Sequence, residues 1–264
     1  MSRESLKNVA RLIELANKDI PEEESFLSDL KRSIEITANK PSSHKPSKTF
    51  KPSGMQCERA SYYFLSDTKA DEPSPTAYNF VGICDSGTDI HVRVQNAVIG
   101  MKKNGIDCDW VDVEKFIADR GLDDLSVTMK TGTETKLYNK KYNMSFMCDG
   151  LVKYHGKYFI LEFKTESSNK WYSRDGVDTK HYNQGIAYAL NFHLDNVIFI
   201  YIERDLLNMK SFMFHVTDEM KQGLIDYMDR VNGYLDRHIV PPKADVPRRV
   251  CSYCSYQNNC RKDK

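Results

Sequence analysis

The chain has 264 residues, 40% hydrophobic and 28% charged, a composition ordinary for a globular protein with a substantial core. Lys and Arg number 38 against 37 Asp and Glu, for a net charge of +1, which excludes indiscriminate coating of nucleic acid but leaves room for a local basic groove. Apolar runs such as NVIFIYI at 196–202 are too short to cross a bilayer, and the N-terminal MSRESLKNVARLIELANKDIPEEES lacks the apolar core of a secretory leader. A cytoplasmic protein with no membrane partner is expected.

In chain order, residues 2–18 and 23–39 carry apolar positions at three- and four-residue spacing and read as two helices. The Pro/Ser/Lys-rich stretch 41–54 reads as a linker or surface loop. This gives an N-terminal helical segment and linker over 1–52 and a main domain over 53–264. CERASYYFL at 57–65 reads as a short helix, followed by the loop-like SDTKADEPSPTAY. SGTDIHVRVQNAVIGM at 86–101 reads as a helix that starts at a capping-box-like Ser86 and Asp89, with Ile90, Val94, Ala97 and Met101 as its apolar face. Strands are expected at 125–131, 144–154 and 157–164. A helix at 178–193, strands at 196–203 and 211–217 and a helix at 218–238 follow. This order predicts an α/β (α+β) fold with a central mixed sheet flanked by helices.

Charge in and beside the strand runs of MCDGLVKYHGKYFILEFKTE (147–166) needs a physical reason, because an unpaired ion is costly to remove from water. With His155-Gly156 as a two-residue turn, Tyr154 pairs with Lys157, and the same register sets Asp149 opposite Glu162. Opposite residues share a sheet face, and Lys164, two residues on, points the same way. Two carboxylates that close require a proton or a cation between them. Hard divalent ions such as Mg²⁺ and Mn²⁺ prefer oxygen ligands. Read from the hairpin alone, the trio fits a metal site and a salt-bridged cluster on a solvated face equally well.

Seven cysteines are spread unevenly: Cys251, Cys254 and Cys260 crowd the last residues. The odd count and this crowding favour a metal site over a disulfide framework. Cys84, Cys108 and Cys148 read as small core residues. Basic residues cluster at 40–51, 247–249 and 261–264, as solvated segments or nucleic-acid contacts.

CDG at 148–150 followed by EFK at 162–164 resembles the PD-(D/E)xK nuclease superfamily, with Cys148 in place of its usual Pro. GTDIH at 87–91 resembles the Gly-x-x-x-His motif of the RecB-type branch, and QGIAY at 184–188 its Gln-x-x-x-Tyr motif. Cys57 before this core and Cys251-x2-Cys254-x5-Cys260 after it resemble the iron–sulfur version of the family, which includes AddB-type subunits and RecB-like CRISPR adaptation nucleases. The resemblance runs from about Ser53 to Cys260. It implies a restriction-endonuclease-like core with Mg²⁺ or Mn²⁺ held by His91, Asp149, Glu162 and the Phe163 carbonyl, and with Lys164 positioning the attacking water. Gln184 and Tyr188 would hold the lysine or contact DNA. Cys57, Cys251, Cys254 and Cys260 would carry a [4Fe–4S] cluster stapling the two ends of the domain, although four thiolates suit Zn²⁺ equally on ligand chemistry.

The function so implied is a metal-dependent DNA exonuclease preferring single strands or free ends, in recombination, repair or phage and mobile-element DNA processing. An endonuclease or end-trimming nuclease of CRISPR spacer acquisition is the alternative within enzymes, and a non-catalytic DNA-binding module the alternative outside them. GxxxxGK[ST] does not occur, so any helicase motor is a separate chain, as a recombinase or single-strand-binding partner would be. Arg59, Tyr62 and Tyr63 are expected to track or stack on the DNA.

Overall fold

The structure, a computed structural model, describes residues 22–41 and 46–263. The helix expected over 2–18 lies outside them. The described residues fall into two compact units, 22–41 with 74–84 and 46–73 with 85–263.

In the first unit, helix α1 (Glu22–Ala38) matches the helix expected over 23–39. Asn39 ties it to the following segment: its Nδ2 donates to the Thr76 carbonyl (3.0 Å), and the Thr76 N–H donates back to its Oδ1 (2.8 Å).

The second unit contains α2 (Glu58–Leu65), residues 85–100 of α3 (Tyr78–Gly100), β1 (Cys108–Trp110), α4 (Val113–Asp119), β2 (Leu125–Thr131), β3 (Glu134–Asn139) and β4 (Met144–Cys148). It continues through β5 (Gly150–Tyr154), β6 (Lys157–Glu166), α5 (Ser168–Tyr172), α6 (Tyr182–Phe192), β7 (Asn196–Glu203), β8 (Met209–His215) and α7 (Asp218–Asp236). Two short helices, α8 (Arg248–Ser252) and α9 (Gln257–Lys262), close it. Strands β1-β5-β6-β7-β8 form one sheet in that order, and β2-β3-β4 another. Only the β6–β7 pair in the larger sheet is parallel, so this sheet is mixed, as expected.

The β5–β6 hairpin has the expected register, from Tyr154↔Lys157 to Gly150↔Leu161. His155 and Gly156 both take positive φ (46° and 76°), the geometry that matches the right-handed strand twist. Alternation along β6 divides the core. Leu161 and Phe163 pack with Ile90 and Val94 of α3 on one face, while Ile160 packs with Ile186 and Ala187 of α6 on the other. The β6-to-β7 crossover is pinned at Glu166, which accepts from Nε and Nη2 of Arg174 (both 2.6 Å) while that guanidinium lies over the Tyr201 ring.

Four expectations need correction. Helix α3 begins at Tyr78, so Ser86 and Asp89 are interior rather than a cap, and Ala97 is exposed while Gln95 takes a buried place on the helix's inner face. The run 144–154 is two strands in different sheets, broken at Asp149. Cys84 is exposed, whereas Cys108 and Cys148 are buried. Arg59, Tyr62 and Tyr63 are buried and cannot track DNA: Arg59 Nη2 donates to the Asp263 carbonyl (3.0 Å) and the Tyr63 hydroxyl to Asp263 Oδ2 (2.6 Å), docking the C-terminal segment.

Candidate functional site

Asp149 occupies the single residue between β4 and β5, where the chain leaves one sheet and enters the other. It is therefore not a ladder residue opposite Glu162. Instead its Oδ2 accepts the Phe163 N–H (2.8 Å), so the carboxylate replaces a backbone acceptor where the β5 ladder has stopped. Its neighbour Gly150 lies under the Trp110 ring: a Cβ there would come within 2.4 Å of the indole. Glycine at this position is a packing requirement, because the Trp110 indole fills the space of a side chain.

Glu162 and Lys164 lie on the α6-facing side of β6, and Lys164 Nζ donates to Glu162 Oε1 (2.5 Å). The other carboxylate oxygen, Glu162 Oε2, is buried and has no hydrogen-bond partner among the described residues. His91 approaches from α3, its Nδ1 3.8 Å from Asp149 Oδ2 and its ring edge-on to Phe163. Gly87, one turn earlier, permits that approach: a Cβ there would meet Thr165 Oγ1 of β6 at 3.3 Å.

Burial raises the Asp149 pKa to about 6, against the pull of the Phe163 N–H and Lys164. Burial first, and then the Asp149 charge, raise Glu162 to about 7. Burial lowers the His91 pKa and favours the neutral imidazole, although the Glu162 charge opposes this. Two buried carboxylates that resist ionisation, an orphaned carboxylate oxygen and a neutral imidazole together form a site that a hard cation would satisfy.

Gln184 and Tyr188 share one face of α6, and the Gln184 side chain favours the ionised Tyr188 hydroxyl against its burial. Tyr188 is buried against Phe146, and burial, with the Glu162 and Asp149 charges, holds its pKa well above the usual value. It buttresses the carboxylates from within the core. Gly185 between them allows α6 to sit on the Phe199 and Phe214 rings.

No protein-family model matches the chain, and no curated protein matches it. Among solved structures, the crystal structure of SSO0001 aligns with a TM-score of 0.45 at 15% identity, covering 89% of this chain and 96% of that one. A protein described as a "putative exonuclease" from Eubacterium rectale aligns with a TM-score of 0.35 at 14% identity, covering 82% and 88%. Both likenesses are distant, and the functional reading rests on the residues of the site.

One residue that the sequence did not single out lies beside these. Ligand atoms of His91, Glu134 and Asp149 all come within 4.8 Å of one another. Glu134 opens β3, directly after the Gly132-Thr133 turn of the smaller sheet. A glycine between two alternating runs marks that hairpin in the sequence; nothing local marks its glutamate.

The four remaining cysteines line one cavity of about 790 Å³ between α2 and the C-terminal segment. Burial raises the Cys254 pKa, with added contributions from Cys57, Cys260 and Cys251, so the four thiols share one electrostatic neighbourhood. Tyr62, Tyr63 and Tyr256 form the apolar wall beside Cys254 and Cys260. Lys51, Lys180, Lys243, Arg249 and Arg261 line the same cavity.

Proposed function

We propose that this chain is a metal-dependent DNA nuclease acting at DNA ends. The observation that carries this reading is the buried Glu162 Oε2, without a partner among the described residues, on a carboxylate that holds the Lys164 ammonium and feels the Asp149 and His91 charges. Oxygen donors and a neutral imidazole suit Mg²⁺ or Mn²⁺, so His91, Asp149 and Glu162 fit the ion, with the Phe163 carbonyl as a further donor. Such an ion, when bound, polarises a scissile phosphate and makes water a better nucleophile.

The protein's own part is positional. The Phe163 N–H fixes the Asp149 carboxylate, and Tyr188 and the surrounding core exclude water from one side of it. Lys164, oriented by Glu162, places a positive charge where it can hold the attacking water and oppose charge developing on phosphate oxygens. Because net charge is near zero, strand binding depends on local basic surface, and the lysines and arginines of the cysteine-lined cavity supply one. Four thiols around one cavity fit a [4Fe–4S] cluster joining α2 to the C-terminal segment. Substrates with free or single-stranded ends, and a separate motor or recombination partner, complete the proposal.

The test is cleavage of end-labelled linear and closed circular single-stranded DNA in Mg²⁺, Mn²⁺ or chelator, with Glu162→Ala and Lys164→Ala beside wild type. Metal-dependent loss of linear substrate only, falling by about 10²-fold or more in both variants, is expected. Cleaved circles would replace the end-acting reading with an endonuclease. A folded, cysteine-site-loaded wild type that cleaves no DNA in any metal would leave a binding module.

A further inference from the structure

The proposed site takes its acidic residues from β6 and the β4–β5 junction, both parts of the larger-sheet hairpin and its approach. The smaller sheet also reaches it. At the β2–β3 turn the Thr133 hydroxyl donates to Gln95 Oε1, and Gln95 Nε2 donates to the Asp149 carbonyl (2.7 Å). Gln95 is fully buried on the inner face of α3, one helical turn beyond His91. A buried amide thus links three elements: the helix carrying His91, the junction carrying Asp149 and the turn just before Glu134. Both polar ends of Gln95 are satisfied, so its geometry is specified rather than adjustable.

From this relay and the convergence of ligand atoms, we infer that Glu134 is a direct ligand of the divalent ion, completing a His91–Glu134–Asp149 set. Thr133 and Gln95 are its positioning residues. This rests on the metal-site reading of the proposed function. Carboxylates are common on surfaces without any ion; here the independent sign of a ligand is Glu162 Oε2, buried and without a partner among the described residues, on a carboxylate that feels the His91 and Asp149 charges. Glu134 also acts on both His91 and Asp149, raising the pKa of each. The assignment makes the smaller sheet part of the catalytic constellation: β2–β3 brings one carboxylate over a site otherwise built on α3 and the larger-sheet hairpin. Glu162 keeps both of its parts, holding Lys164 through Oε1 and offering Oε2 to the same ion as His91, Glu134 and Asp149.

The experiment is Mn²⁺ titration by calorimetry on the full chain, with thermal melts in chelator and in saturating Mn²⁺. Wild type, Glu134→Gln, Glu134→Asp, Thr133→Val and Asp149→Asn are compared. Glu134→Gln is expected to weaken Mn²⁺ by about ten-fold or more, and Thr133→Val by less, as outer-shell positioning groups do. In chelator Glu134→Gln should melt at or above the wild-type temperature, since one of several crowded carboxylates is gone; in saturating Mn²⁺ it should melt below it. A merely structural glutamate would lower both melts. Unchanged Mn²⁺ affinity in Glu134→Gln and Glu134→Asp, with binding lost in Asp149→Asn, overturns the assignment and leaves the site standing. Absence of Mn²⁺ binding in wild type overturns the metal-site reading itself.

Discussion

His181 shows what the interior asks of one side chain. Its ring stacks on Phe199, and its Nδ1 lies 2.9 Å from the Tyr201 hydroxyl, which also accepts the Asp178 N–H. Burial, reinforced by the Lys164 and Lys180 charges, lowers its pKa to about 2. The native state therefore stays unprotonated where the unfolded chain takes up a proton. The stabilisation is complete above the ordinary histidine pKa of about 6.5 and declines as pH falls below it, by at most about 1.4 kcal/mol per pH unit. Asp149 and Glu162, whose native pKa values are raised, gain stability as pH falls through the same range, so the His181 loss is read as a difference: in urea melts at pH 5 and pH 7.5, wild type should lose stability on acidification relative to His181→Gln. An equally steep slope in the variant would assign the acid sensitivity to other groups. Asp178, in the same network, adds a loss at lower pH: burial opposes its ionisation, but the Lys180 N–H and the Lys180 and Lys170 charges outweigh that and hold its pKa far below the usual range.

Among the elements, the decisive feature is the break at Asp149. Just after it, Gly150 has no room for a side chain, because Trp110 of β1 lies where one would be. Gly150→Ala is expected to cost about 1–3 kcal/mol through overpacking, and much less in a Trp110→Ala background. Equal costs in both backgrounds, measured by denaturant melts, would remove the indole from the explanation. The sequence makes the β5–β6 hairpin legible because its alternation and its His-Gly turn are local signals, and both survive unchanged in the structure. The break at Asp149 is illegible there: MSFMC and GLVKY read as one strand, and only the separate pairing of each half distinguishes them. Helix α3 is misread at its start because Ser86 and Asp89 resemble a cap, whereas the helix runs through them from Tyr78 along largely exposed residues. Glu134 escapes local reading altogether, because its partners come from α3 and the β4–β5 junction rather than its own hairpin.

At the scale of the whole larger unit, residues near 57–63 meet residues near 251–263. Besides the bonds to Asp263, the Asp71 N–H donates to the Ser255 carbonyl (2.8 Å), and the Asn258 N–H to Asp71 Oδ2 (3.0 Å). If the thiols hold an iron–sulfur cluster, anaerobically purified protein should show a visible absorbance shoulder and bound iron. Cys254→Ser should lose both and leave the C-terminal segment open to protease. Colourless protein with stoichiometric zinc would keep the staple and reject the cluster.

That contact carries a consequence in time. Arg59 meets the backbone of Asp263 across a separation of 204 residues. During synthesis, α2 must therefore wait until the residues of the candidate site have been made before its partners exist. His91, Glu134, Asp149, Glu162 and Lys164 all leave the ribosome before Asp263, while Cys57 is without Cys251, Cys254 and Cys260 for most of that time. The nascent chain thus has a long interval in which its candidate-site residues are complete but its closure is not, and its yield should depend on how reducing the cell is during that interval.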